Sequence, residues 1–313
     1  MKPGRSSFLV ATLLALAMSI AMSTLSAWLR LADSTLDCSP WPACHGTTLR
    51  IDSAPGVSID INDTNRGLRA THRIMASLFG VLVVGMATAA LWFRREQPTR
   101  AFWCTVALAL TLVLAWVGMS TPDIQHPIIT TINLTGGMCL SLVLFHLTLE
   151  QMNPSPAPAP VALISMVSLA TILFAVVTGA WVSANYAAGS CGADAFCQMP
   201  AHFDLVSAFS PARELLLQGT SVQPSAEDPV ILFVHHAMGP IVTFMVIYSG
   251  AVAFALRGYQ HWMAAPPVAL TVLVIVAIYQ GSQPTLAAAS LHNLLALVLM
   301  FTCVYQIHRL RQP

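Results

Sequence analysis

The chain has 313 residues, of which 56% are hydrophobic and only 9% charged, and its mean hydropathy is +0.70. Soluble domains carry about 25% charged residues, so this composition excludes a soluble globular protein. A formal net charge of +1, a single lysine and the lack of a basic stripe or phosphate-binding glycine loop exclude a nucleic-acid partner.

Apolar runs of about 20 residues can cross a hydrocarbon core about 30 Å thick. Eight occur, at about 8–27, 71–93, 101–120, 127–149, 161–182, 230–256, 264–281 and 285–307. The first opens with Lys2 and Arg5, as a signal peptide would. It lacks a small-residue cleavage site and seven spans follow, so it reads as a retained helix.

After it comes Arg30-Leu-Ala-Asp-Ser-Thr-Leu-Asp-Cys38-Ser-Pro-Trp-Pro-Ala-Cys44, inside a long connection over 28–70. The second span opens with His72, and the turn from Arg94 to Arg100 leads to the third. A short turn, Ser120 to His126, leads to the fourth, whose matching position is Asn133. Asn153-Pro-Ser-Pro-Ala-Pro-Ala-Pro160 then forms an extended linker, because its prolines forbid a helix.

The order repeats beyond the linker. After the fifth span, the connection over 183–229 carries Cys191 and Cys197, spaced six apart like Cys38 and Cys44, with Phe196 between them as Trp41 is in the first. Within it, Pro211-Ala-Arg-Glu-Leu-Leu-Leu-Gln218 reads as a short helix lying along the membrane surface. His235 opens the sixth span and His292 lies near the start of the eighth. The chain thus divides into a unit at 1–152, a linker at 153–160 and a second unit at 161–313. The expected fold is an all-α integral membrane protein, eight transmembrane helices arranged as two pseudo-symmetric four-helix bundles.

Basic residues set the orientation. With the N-terminus inside, the inner segments hold eight of the Lys and Arg residues against Glu96 and Glu150, and the outer segments hold eleven acids against six arginines. Both termini are then cytoplasmic. Both cysteine pairs face the oxidising side, where disulfides persist.

The second, fourth, sixth and eighth spans all enter from outside, so His72, Asn133, His235 and His292 all lie near the outer leaflet. Ionisable side chains inside a membrane are costly and default to functional readings. A haem held between two helices needs one imidazole from each, and His235 with His292 meets that need. His72 has only Asn133 opposite it, and asparagine is a poor iron ligand. His236 points about 100° away from His235, given about 3.6 residues per turn. His126, His146, His261 and His308 read as structural. The cysteine pairs are open to three readings: a structural disulfide, an exchanging dithiol or a metal site. Cys104, Cys139 and Cys303 fall inside spans and read as small apolar residues.

The Arg-Leu-x3-Thr-Leu-x-Cys-x-Pro-Trp-Pro-x-Cys-x-Gly run at 30–46, His72-Arg73, the second cysteine loop, His235 and Leu291-His292-Asn293 together resemble the haem A synthase (Cox15/CtaA) family of cytochrome oxidase assembly proteins. The resemblance covers nearly the whole chain. It implies an enzyme, a haem O monooxygenase or oxidoreductase, that oxidises a ring methyl of haem O to a formyl group. It further implies a haem b cofactor between His235 and His292, and substrate haem O bound by His72 in the first unit. Cys38, Cys44, Cys191 and Cys197 carry over as the loop cysteines. The implied partners are haem O, the haem O synthase that supplies it, an external electron donor and the lipid bilayer of a bacterial plasma membrane; a homo-oligomer is compatible with it. The chain departs from the family at Asn133, where a histidine is usual, and at Arg69, where a glutamate is usual. Two alternatives therefore stand beside the enzyme: a non-catalytic haem-binding assembly factor of the same fold, and a membrane thiol oxidoreductase.

Overall fold

The computed structural model describes residues 3–32, 63–120, 126–152, 162–190, 202–218, 221–258, 260–282 and 285–311. Its long helices are α1 (Pro3–Ala32), α2 (Asp63–Trp92), α3 (Pro98–Ser120), α4 (Pro127–Met152), α5 (Leu163–Ala184), α7 (Asp228–Arg257), α8 (Ala265–Ser282) and α9 (Leu286–Leu310), with a four-residue α6 (Leu205–Ala208) between α5 and α7. Eight of the described helices are long and apolar enough to cross a membrane, and the protein is an all-α, multi-pass membrane protein. The spans expected at 71–93, 101–120 and 285–307 correspond to apolar stretches Ala70–Trp92, Pro98–Met119 and Leu286–Leu310.

Successive helices alternate in direction, so the bundle has two ends. One holds the end of α1, the start of α2 and residues 202–218 between α5 and α7, and is called here the long-loop end. The other bears the turns α2–α3 and α7–α8 and both chain termini, and is called the terminus end.

Neighbour relations repeat between the two halves. In the first, α1 packs on α2 and α4, and α3 on α2 and α4; in the second, α5 packs on α7 and α9, and α8 on α7 and α9. Each ring closes round its own core. Phe79, Val83, Met86, Cys104, Leu144 and Leu147 fill the first, and Ile172, Val246, Leu270, Leu299, Met300 and Cys303 the second. Cys104 and Cys303 are thus packing residues, as their positions in apolar spans suggested.

Lipid is as apolar as these side chains, so shape and interhelical hydrogen bonds hold such helices together, the bonds contributing about 0.6 kcal/mol each on average. Ser19 of α1 and Ser141 of α4 meet at 2.8 Å, and Gln151 of α4 donates to Thr12 of α1 at 2.8 Å. In the second ring Ser165 of α5 and Ser249 of α7 meet at 2.9 Å, and Gln306 of α9 donates to both hydroxyls, at 3.1 and 2.9 Å. Each ring therefore has a glutamine on its last helix, near the terminus end, tied to a hydroxyl on its first.

The rings meet where α4 packs on α5 and α9 and where α1 packs on α9. Phe145 and Phe301 stack across that seam with centroids 4.6 Å apart. At its terminus end Glu150 Oε1 lies 3.6 Å from His308 Nδ1 and 3.9 Å from both Arg311 Nη1 and His146 Nε2. His146 and His308, read from sequence as structural, belong to this inter-ring cluster.

Candidate functional site

Polar contacts at the long-loop end fasten the α5–α7 connection to both helices. Trp181 of α5 donates its indole N–H to the Ala208 carbonyl at 2.9 Å, which draws α6 onto the end of α5. Asn185, buried just past α5, donates to the Trp181 carbonyl at 2.8 Å. Its amide oxygen accepts from Arg213 Nε at 2.7 Å. Arg213 also donates to Ser225 Oγ at 2.6 Å, to Asp228 Oδ1 at 3.2 Å and to Glu227 Oε2 at 3.4 Å. One guanidinium thereby joins the exit of α5 to the entry of α7.

The expected helix over 211–218 does not form. Residues 211–212 make a turn, and Leu217–Gln218 is a short strand, β1, pairing antiparallel with Ser221–Val222, β2. The reason is Arg213. Its partners lie at the exit of α5 and the entry of α7, and satisfying a buried guanidinium outweighs the weak amphipathic pattern around it.

Just below this clamp stand the histidines. His235 lies two turns into α7 and His292 two turns into α9, with ring centroids 6.3 Å apart and planes inclined at 77°. Helix α5 shapes the wall behind His235. Thr178 Oγ1 lies 3.1 Å from His235 Nδ1 and donates to the Ala175 carbonyl at 2.9 Å. Gly179 lets the imidazole lie against the helix, since a Cβ there would come within 2.8 Å of His235 Cε1. Pro240 follows one turn on in α7 and has no N–H to offer the His236 carbonyl. The His292 Nδ1 atom is buried with no hydrogen-bond partner among the described residues. An unsatisfied buried nitrogen costs about 1–3 kcal/mol, so this ring is suited to a ligand.

The arrangement fits a haem. An imidazole nitrogen sits about 2.0–2.1 Å from a metal it ligates, so two rings on opposite sides of one ion have centroids roughly 6–6.5 Å apart, the spacing found. Two neutral nitrogens are also the donor set that an iron already held by a porphyrin needs. Among the described residues no group of three or more His, Cys, Asp or Glu side chains is arranged to hold a bare metal ion. His236 turns aside: it is exposed, with its centroid 6.3 Å from that of His235.

Among the described residues the first ring has no such pair. His72 is half-buried near the start of α2 and Asn133 half-buried in α4. Neither side chain makes a hydrogen bond with another described residue, and the side chain of Arg69 lies outside those described. Cys38, Cys44, Cys191 and Cys197 all lie outside the described residues. Sequence reasoning missed Thr178 and Gly179, whose only signal was a hydroxyl beside a glycine in an otherwise apolar helix.

A multi-pass membrane protein with a histidine pair between helices is the class that this fold and site define. A family model described as COX15-CtaA, cytochrome oxidase assembly protein, matches residues 10–304. The chain belongs to that family. It is similar to the "Heme A synthase" of Shewanella oneidensis, with 26% identity over 286 residues, covering 83% of this chain and 81% of that protein.

Proposed function

We propose that this protein is a haem A synthase, which oxidises one ring methyl of haem O to a formyl group. The observation that carries this reading is the His235–His292 pair at 6.3 Å in a chain that belongs to the cytochrome oxidase assembly family along nearly its full length.

In this reading His235 and His292 of the second unit, residues 161–313, would hold a haem b. When bound, that haem supplies one-electron transfer. Helix α5 fixes the orientation of His235 through Thr178 and Gly179. The Arg213 clamp holds the α5–α7 connection over the pocket, which keeps bulk water from it. The first unit, residues 1–152, is the substrate side, where His72 approaches haem O. The two cysteine pairs staple the long connections. The protein sits in a bacterial plasma membrane with both termini cytoplasmic.

Asn133 and Arg69 favour a second reading, a haem-binding assembly factor that does no oxidation. With asparagine opposite His72, the first unit would offer a haem one imidazole. An arginine in place of the usual glutamate also inverts the charge one turn before that histidine.

Haem extraction separates the two. The chain is expressed together with a haem O synthase in a host that makes no haem A, and the extracted haems are resolved by chromatography. The enzyme yields haem A in excess of a vector control. Haem b bound to the protein, with haem O unchanged and no haem A, would contradict oxidation and leave the assembly factor.

A further inference from the structure

We infer that Thr178 is a positioning residue that fixes the tautomer of His235 and presents its Nε2 as the metal-binding atom. The inference rests on the haem-ligand reading of His235 and His292 and adds a residue from a third helix.

A threonine hydroxyl has one proton to give and two lone pairs to receive with. Thr178 gives its proton to the Ala175 carbonyl at 2.9 Å, a bond within its own helix. With that proton used, the contact of 3.1 Å to His235 Nδ1 runs the other way in this inference, Nδ1–H donating to Thr178 Oγ1. Thr178 is only 5% exposed, so water does not compete for either position. A proton held on Nδ1 leaves the lone pair on Nε2. Gly179 completes the device, because the ring rests where a Cβ would be.

The outer hydrogen bond of a metal-bound histidine orients its ring and makes it a more basic ligand. The chain Nδ1–H to Thr178 Oγ1 to Ala175 carbonyl therefore tightens haem at His235 and favours the oxidised iron. The device belongs to one unit. Aligning Cys38 with Cys191 sets Leu25 and Ser26 opposite Thr178 and Gly179, so the first unit has no hydroxyl at the corresponding place.

The full chain is purified with haem from the host as wild type, Thr178→Val and Thr178→Ser. Valine keeps the branched shape and removes the acceptor; serine returns it. Two quantities are read: the rate of haem transfer to apomyoglobin and the midpoint potential of the b-type spectrum. Thr178→Val should release haem about 10-fold faster and shift the midpoint upward, with Thr178→Ser restoring both. Thr178→Val matching wild type in rate and potential, in a protein whose spectrum still depends on His235 and His292, would overturn this inference alone. Loss in Thr178→Val without recovery in Thr178→Ser would also overturn it, because packing by the methyl group would then explain the effect. A wild-type protein with no bis-histidine haem spectrum would overturn both the inference and the ligand assignment beneath it.

Discussion

His235 stands close against α5 because residue 179 has no side chain. In Gly179→Ala the new methyl would lie 2.8 Å from His235 Cε1, closer than any real contact allows. The imidazole is itself fixed by Thr178, so it must swing or the helices must part. Overpacking of this kind costs about 1–3 kcal/mol. Gly179→Ala is therefore expected to lose most of its bound haem, measured as the Soret absorbance per mole of purified protein. Gly250→Ala in α7, which meets nothing within 4 Å, should keep the wild-type value. Equal haem content in both variants would contradict the close packing described. The histidines could be read from the sequence because ionisable groups inside apolar runs are conspicuous. Their support could not, since Thr178 lies 57 residues before its partner and looks like any small residue of an apolar helix.

Among the elements, the eight spans were legible because hydropathy is a local property and a bilayer demands a fixed length of it. The α5–α7 connection was not, because its order comes from one buried cation with partners far along the chain. Arg213 and Asp228 have side chains only 9% and 8% exposed. Breaking such a pair leaves a buried charge uncompensated, at a cost of about 3–5 kcal/mol. Arg213→Ala should therefore open 202–218, seen in detergent as faster amide exchange there than in α5 or α7. Unchanged exchange would contradict its role as a clamp. Acid tests the same clamp. Burial pushes the Glu227 carboxyl up, but hydrogen bonds from Ser225, its own backbone and Arg213, with the Arg213 charge, outweigh that and hold it below its ordinary 4.5. A lowered carboxylate adds stability above its ordinary value and loses it as pH falls through the lowered one. Protection of 202–218 should thus hold down to about pH 5 and decline below that.

At the scale of the whole molecule, two rings of four helices share neighbour relations and a glutamine tie, and differ in what their long-loop ends carry. The second brings two histidines together, with ring centroids 6.3 Å apart. The first sets His72 in the same kind of place, with Asn133 on the helix where a partner would stand. The proposed function therefore puts one strongly held haem in the second ring and leaves the first for the substrate. The seam between the rings, through Phe145, Phe301 and the Glu150 cluster, gives the two sites a common frame. The most direct measurement is the electron paramagnetic resonance and optical spectrum of the purified chain from a host without haem O, as wild type, His292→Ala and Asn133→Ala. The expected spectra show one low-spin, bis-histidine haem in wild type and in Asn133→Ala, and its loss or conversion to a high-spin form in His292→Ala. A bis-histidine signal that survives His292→Ala would contradict the ligand assignment.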